Sequence, residues 1–353
     1  MGSGLRITYG PWGETLGELA DAARAAEDAG AEVVWVPELH RGATTSAAAI
    51  AATTRTTKVG TAIALAFTRS PMVTALEALD LDEMSNGRFV LGLGTGVRRL
   101  NEDWHHAQWG KPVTHLRESV RNIRAFWAGC TTGEPIDLDG EHEPMHIRGY
   151  RRPYPVLRSD IPIYLAAMGP ALTRLTGEIA DGWISHELSS PEHLRAQILP
   201  EIEAGIARVE GRTRDDIDLV TSVCCSVDAD PAVARRRAAG MVGFYASVRT
   251  YADFFAFHDL AAEQEAVVEA FRGGRGAGTL ADAVADRMVD ALTLSGTRDQ
   301  AVERVAAYAE VADTIKLTPP THGLSPTEIR AAQKEVIALI AELSGPSQIG
   351  GPR

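Results

Sequence analysis

The residues able to do chemistry fall in a few short stretches. Glu38 and His40 follow the apolar run Val33–Val36. That puts a carboxylate near an imidazole whose ordinary pKa suits proton transfer around neutrality. Gly92, Gly94 and Gly96 alternate with Leu93 and Thr95 after Phe89-Val-Leu91. Glycine there lets a backbone approach a ligand without a Cβ in the way, or simply makes a tight turn. The Gly-x-Gly-x-Gly spacing fits neither the dinucleotide fingerprint nor the phosphate-binding P-loop, and no Gly-Lys-Ser/Thr follows. A second small-residue stretch, Ala166-Ala-Met-Gly-Pro-Ala171, comes after another apolar run, and His186 follows a third. No Ser-His-Asp order, His-x-x-x-His pair or carboxylate cluster suited to a metal is present, so no metal is expected. Trp104, His105, His106 and Trp109 are close in sequence, but successive helix positions diverge, which favours a structural role.

These stretches need elements to hold them. Apolar runs at 5–9, 33–36, 59–65, 89–91, 161–167, 182–186, 219–227 and 314–317 read as strands. Helical patterns follow them at 16–29, from Ser46 as cap to Thr54, at 71–84, 116–127, 171–180, 191–209, 231–245 and 325–343. Eight strand–helix alternations with no long polar linker call for parallel strands and close naturally into a (β/α)8 TIM barrel. A doubly wound open sheet is the alternative. The Gly129–Asp160 stretch reads as an inserted loop or hairpin, and Tyr251–Asp290 as a helical insertion after strand seven. Residues 1–345 then form one domain and 346–353 a frayed tail. In a barrel the strand C-terminal ends carry the site. That gathers Trp12, Glu38, His40, Thr68, Gly94–Gly96, Ala166–Pro170 and His186 at one mouth, suited to a large flat ligand held mainly by backbone.

The formal charge of −12 argues against nucleic acid and anionic membranes as partners. It leaves room for a phosphorylated cofactor, since helix N-termini hold phosphate without basic side chains. Three cysteines without zinc or disulfide spacing fit a reducing compartment. With no signal-like N-terminus and no apolar run of membrane length, a cytoplasmic protein is expected. The run Arg235-Arg-Arg237 reads as a solvated helix face.

The stretches Glu27–Glu38, Asp82-Glu-Met-Ser-Asn-Gly-Arg-Phe-Val-Leu-Gly-Leu-Gly-Thr-Gly96, Ile163–Pro170 and Ala180-Asp-Gly-Trp183 resemble the bacterial luciferase-like superfamily. More closely they resemble its deazaflavin branch, the coenzyme F420-dependent oxidoreductases that include methylenetetrahydromethanopterin reductase. The resemblance implies a barrel with inserted loops, commonly a homodimer, acting on a small-molecule substrate with F420 laid across the strand ends. Gly94, Thr95 and Gly96 would contact the ring system. Ala166, Ala167, Met168, Gly169, Pro170 and Ala171 would present amides to the phosphate. A non-prolyl cis bond at Ala62–Ile63 would lie behind the ring. His40 falls where relatives carry a histidine near the reacting face, with Glu38 near their acidic neighbour. Sugar-phosphate dehydrogenases of the branch have a catalytic glutamate directly after Gly-Thr-Gly, where this chain has Val97. Asn101 follows and joins Trp12, Thr68 and His186 as a substrate-side candidate. The expected activity is hydride transfer between F420 and an organic substrate. The alternatives are an FMN-dependent monooxygenase of the same superfamily and a non-catalytic flavin-binding barrel.

Overall fold

The computed structural model describes residues 4–345; the tail expected at 346–353 lies outside the described residues. In chain order the elements begin with β1 (Arg6–Tyr9), α1 (Leu16–Asp28), β2 (Val33–Val36) and α2 (Ala43–Ala51). Then come β3 (Lys58–Thr61), β4 (Ala64–Leu65), α3 (Pro71–Met84), β5 (Phe89–Gly94) and α4 (Pro112–Gly129). A hairpin, β6 (Ile136–Leu138) and β7 (Met145–Ile147), precedes β8 (Ile163–Ala166), α5 (Pro170–Ile179) and β9 (Gly182–Ile184). After α6 (Pro191–His193) and α7 (Leu199–Ile206) come β10 (Asp218–Val227) and α8 (Pro231–Ala246). The insertion carries α9 (Ala252–Phe257), α10 (Ala261–Arg272) and α11 (Asp286–Leu292). It is followed by β11 (Leu294–Gly296), α12 (Arg298–Ala306), β12 (Thr314–Thr318) and α13 (Pro326–Ser344).

The strand order is that of a (β/α)8 barrel, with β1, β2, β3, β5, β8, β9, β10 and β12 as its staves. The open-sheet alternative is thereby set aside. The hairpin and the helical insertion fall where the sequence placed them. Four readings change. The helix expected from Ser46 begins at Ala43 with Gly42 as its cap, because Ser46 donates its amide to the Gly42 carbonyl and is buried inside the helix. The third strand is two pieces, β3 and β4. The fourth runs on through Gly92 and Gly94 rather than turning there. β11, only Leu294-Ser-Gly296, is too short to show a period and was not expected; it pairs in parallel with β10.

Packing divides the chain into two compact units. One comprises 33–184 with 200–218, and its parallel strands run β2-β3-β5-β8-β9, β4 extending the β3 side of β5. Trp35, Phe89, Leu91, Leu93, Ile163 and Leu165 are buried there, each worth about 1.5–3 kcal/mol on leaving water. Helices α3 and α4 are locked together where the Trp127 indole donates to the Ala75 carbonyl at 3.0 Å. The other unit comprises, among the described residues, 4–32, 185–199 and 219–345, with strand order β11-β10-β12-β1. Its buried cluster joins α8 to the insertion through Ala238, Val242, Phe255, Val267, Leu280 and Met288. In this unit Arg237 departs from the solvated face expected of the arginine run, because its guanidinium pairs with Asp228 at 2.8 Å and is largely covered.

Candidate active site

In the first unit, three neighbouring strands end at one level. Gly94 of β5 stands opposite Leu65 of β4 on one side and Ala166 of β8 on the other. Just below, the register slips. Gly60 pairs with Val90 and Ala64 with Leu93, so Thr61, Ala62 and Ile63 face only Leu91 and Gly92. One extra residue on one strand is a β-bulge, and such bulges re-aim the chain near sites. The peptide Ala62–Ile63 within it is cis, as the resemblance implied. The Thr61 side chain stitches the slip closed: its hydroxyl donates to the Gly92 carbonyl at 2.7 Å and accepts the Gly92 N–H at 2.9 Å. A Cβ on Gly92 would overlap the Thr61 carbonyl oxygen. Gly92 is therefore needed for strand contact, not for a ligand, which corrects the reading of all three glycines as one loop.

Gly96 is different. It is exposed, its φ is +62°, and a Cβ there would sit 2.6 Å from Leu65 Cδ2. Only glycine occupies that backbone easily. The loop it belongs to is held from below by Asn101, whose amide donates to the Thr95 carbonyl at 2.7 Å and the Val97 carbonyl at 3.1 Å. Asn101 is fully buried. The structure thus places this substrate-side candidate under the loop, as its prop. Val97, at the loop's edge, is exposed.

Glu38 and His40 lie beyond β2 and differ sharply. Burial by itself would raise the Glu38 carboxyl, but Arg69 and the Leu65 N–H bring it below the usual carboxylate range. Arg69 grips both carboxylate oxygens, and Leu65 N–H donates to Oε2 at 2.8 Å. Glu38 is therefore an ionised strut that ties the end of β2 to the turn after β4. His40 is exposed and makes no hydrogen bond among the described residues. Thr68 closes the same turn, its hydroxyl donating to the Leu65 carbonyl at 3.2 Å.

The β8 end carries the second small-residue stretch. Ala167 is buried, its carbonyl accepting the Trp183 indole N–H at 2.9 Å, while Met168, Gly169, Pro170 and Ala171 are exposed. Gly169 caps α5 with no side chain, and Pro170 begins the helix. The first-turn amides of a helix have no intrahelical acceptor, so this terminus faces outward unsatisfied. A Cβ on Gly169 would meet nothing within 4 Å. In the same turn the Thr173 hydroxyl is buried without a partner among the described residues. Nothing in the sequence marked Thr173; whether a hydroxyl finds a partner depends on neighbours that only the fold brings to it.

Trp12 and His186 belong to the other unit. Trp12 is turned to α13: its N–H donates to Gln333 at 2.9 Å, and its ring lies 5.7 Å from the Arg330 guanidinium. Burial pushes the His186 imidazole down to about 4, against the pull of Glu187. Leu188 N–H donates to its Nδ1 at 3.2 Å, which assigns the ring proton to Nε2.

The best-marked sequence pattern, Asp82 to Arg88, proves to be scaffolding. Buried Asp82 takes a forked contact from Arg158, and Arg88 reaches the Thr54 carbonyl at 2.9 Å. His105 and His106 are exposed and separate from His115, which stacks on Phe67 at 3.7 Å and meets Glu143 at 2.8 Å. No group of His, Cys, Asp and Glu suited to a metal occurs among the described residues. Nor is any described helix long and apolar enough to cross a membrane.

A (β/α)8 barrel with side-chain-poor loops at neighbouring strand ends defines a class, and comparison with known proteins supplies the family. Residues 2–314 match the family described as luciferase-like monooxygenase, and the chain belongs to it. It is 32% identical over 294 residues to a 5,10-methylenetetrahydromethanopterin reductase of Archaeoglobus fulgidus, covering 82% of this chain and 85% of that protein. The enzyme of the same name from Methanolobus tindarius is 29% identical over 308 residues, covering 84% and 88%. Among solved structures, the coenzyme F420-dependent tetrahydromethanopterin reductase of Methanopyrus kandleri superposes with a TM-score of 0.79 at 24% identity, covering 94% of this chain and 99% of that one. That likeness shows the fold. The family and its relatives make this chain an enzyme.

Proposed function

We propose that this enzyme is a coenzyme F420-dependent oxidoreductase, working as a reductase on a small organic substrate. The observation that carries the reading is the outward-facing, uncapped first turn of α5, carried by the strand beside the Gly96 loop. The residues present fit the group: an open helix N-terminus with an orphan hydroxyl suits a phosphate, and a backbone-lined loop suits a flat ring. The names of the relatives support the same chemistry. Met168 to Ala171 would hold the phosphate, and Thr95 and Gly96, with Ala62 and Ile63 of the bulge, would border the ring. When bound, a deazaflavin supplies a ring carbon that carries hydride.

The chain's own residues do the rest. Glu38, kept ionised by Arg69, is no proton donor; it fixes the turn that borders the bulge. His40, exposed and uncommitted, is the group able to hold or move a proton. Asn101 keeps the Thr95–Val97 loop in one shape, so that its backbone is ready for the ligand. Anaerobic reaction of the reduced deazaflavin tests the proposal. Substrate reduction with one cofactor oxidised per product and no oxygen uptake is expected. Stoichiometric oxygen uptake with reduced FMN, and no reaction with the deazaflavin, would replace it with the monooxygenase reading.

A further inference from the structure

Outside the site just described, one group of side chains is built and unused. In the unit comprising 4–32, 185–199 and 219–345, five half-buried aromatic rings meet: His186, Phe244, Tyr245, Tyr251 and His322. Tyr245 lies edge-on to His186 with centroids 3.9 Å apart, and Tyr251 tilts over it at 4.4 Å. His322 stacks on Phe244 at 4.3 Å, and Phe244 meets Tyr245 at 5.0 Å. The rings come from the loop that follows β9, the last turns of α8, the start of the helical insertion and the loop after β12. Their meeting depends on Gly240, where a Cβ would overlap the His322 carbonyl oxygen, so α8 is shaped to let that loop press against it.

Packed core rings are buried on all sides; these keep part of their surface open. The charges that act on His186, those of Glu187 and Lys316, pair with each other at 2.7 Å and are spent there. Burial also keeps the Tyr245 and Tyr251 phenols protonated, Tyr251 being pushed up to about 12. His186, Tyr245 and Tyr251 thus present an uncharged aromatic face around neutrality. Such a face gains by stacking and by excluding water, and these three rings bring no cation to repay the desolvation of a carboxylate or phosphate.

We propose that this aromatic box is a binding pocket for a flat, uncharged aromatic or conjugated ring, and that the helical insertion exists to bring Tyr251 to it. Calling that ring the substrate rests on the oxidoreductase reading; the pocket itself does not, because it is tested without cofactor. The probes are 2-naphthol and its anionic isostere 2-naphthoate, titrated into the cofactor-free protein. Saturable 2-naphthol binding is expected, with 2-naphthoate at least about tenfold weaker. The His186 and His322 ring proton signals should move with 2-naphthol, a readout that needs no variant. Tyr251→Leu, which keeps an apolar side chain, should weaken 2-naphthol about tenfold by losing one stacked ring. Equal binding of the two probes, no saturable binding, histidine signals that do not move, or an unchanged Tyr251→Leu would each overturn the proposal. Failure of F420 to bind would leave these results intact and remove only the word substrate.

Discussion

Replacing Gly169 by valine separates a cofactor contact from a structural one. At φ −82° and ψ 153° the residue sits in ordinary extended backbone that a β-branched side chain adopts without strain. Because a Cβ there meets nothing within 4 Å, the folded protein has room for the larger side chain. Loss of glycine's freedom in the unfolded chain stabilises by about 0.4–1 kcal/mol, while valine is a poorer helix cap than glycine by roughly as much, so the cofactor-free melting temperature should change little. The ligand side is different. A phosphate on the first turn of α5 gains from the helix dipole, roughly 0.3–2 kcal/mol, and from charge-assisted hydrogen bonds of about 1.5–3 kcal/mol each. Valine placed over that turn keeps the anion from at least one such bond. The expected loss is about 2–4 kcal/mol, or roughly 30- to 1,000-fold in affinity. Fluorescence titration of F420 into wild type and Gly169→Val, beside a thermal melt of each, reads both quantities. Affinity within twofold of wild type in a variant that melts normally would refute the placement of the phosphate on α5.

Other outcomes follow from the same geometry. His40→Ala should keep F420 affinity while turnover falls about 10²–10⁴-fold, the usual size of an acid–base contribution, measured by steady-state kinetics. Glu38→Gln should lower stability by about 1–3 kcal/mol near pH 7, since it removes the forked charge-assisted contact to Arg69 and leaves that guanidinium to Glu77 at 3.5 Å. Because Glu38 has its pKa depressed in the folded state, its contribution is present above the ordinary carboxylate range and lost as pH falls through that range. Urea melts of the two proteins should therefore converge in acid. His186, held down at about 4, behaves likewise: its contribution is full above about 6.5 and is lost between there and 4, costing up to about 3 kcal/mol. His186→Phe should flatten that stretch of the stability–pH curve. Asn101→Leu should loosen the Thr95–Val97 loop, seen as faster amide exchange there, and weaken F420.

The alternation of strands and helices was legible because several barrel strands are buried apolar runs with a glycine or proline close by, as Val33–Val36 and Phe89-Val-Leu91 show. What the sequence hid were contacts between distant residues. Gly92 and Gly96 look alike in sequence, yet one is glycine because β3 crowds it and the other because its φ is positive. Glu38 and His40 read as a proton-handling pair until Arg69, thirty-one positions from Glu38, is seen to claim the carboxylate. Asn101 gave no sign that its amide faces two carbonyls of the loop before it. Asp82 and Arg88 mark the family clearly but work as scaffolding, so strength of pattern was no guide to role. The cluster of His186, Tyr245, Tyr251, Phe244 and His322 is assembled from four separate segments, and no spacing announces it.

Cofactor preference tests the central claim most directly, because it needs no substrate. Thermal unfolding is followed with F420 and with FMN over a common concentration range. A ligand at 100 times its Kd stabilises the folded state by about 2.7 kcal/mol, a shift of several degrees for a chain of this size. F420 should raise the melting temperature at micromolar concentration, FMN should need far more, and Gly169→Val should abolish the F420 shift. A larger shift with FMN than with F420, unaffected by Gly169→Val, would contradict the account.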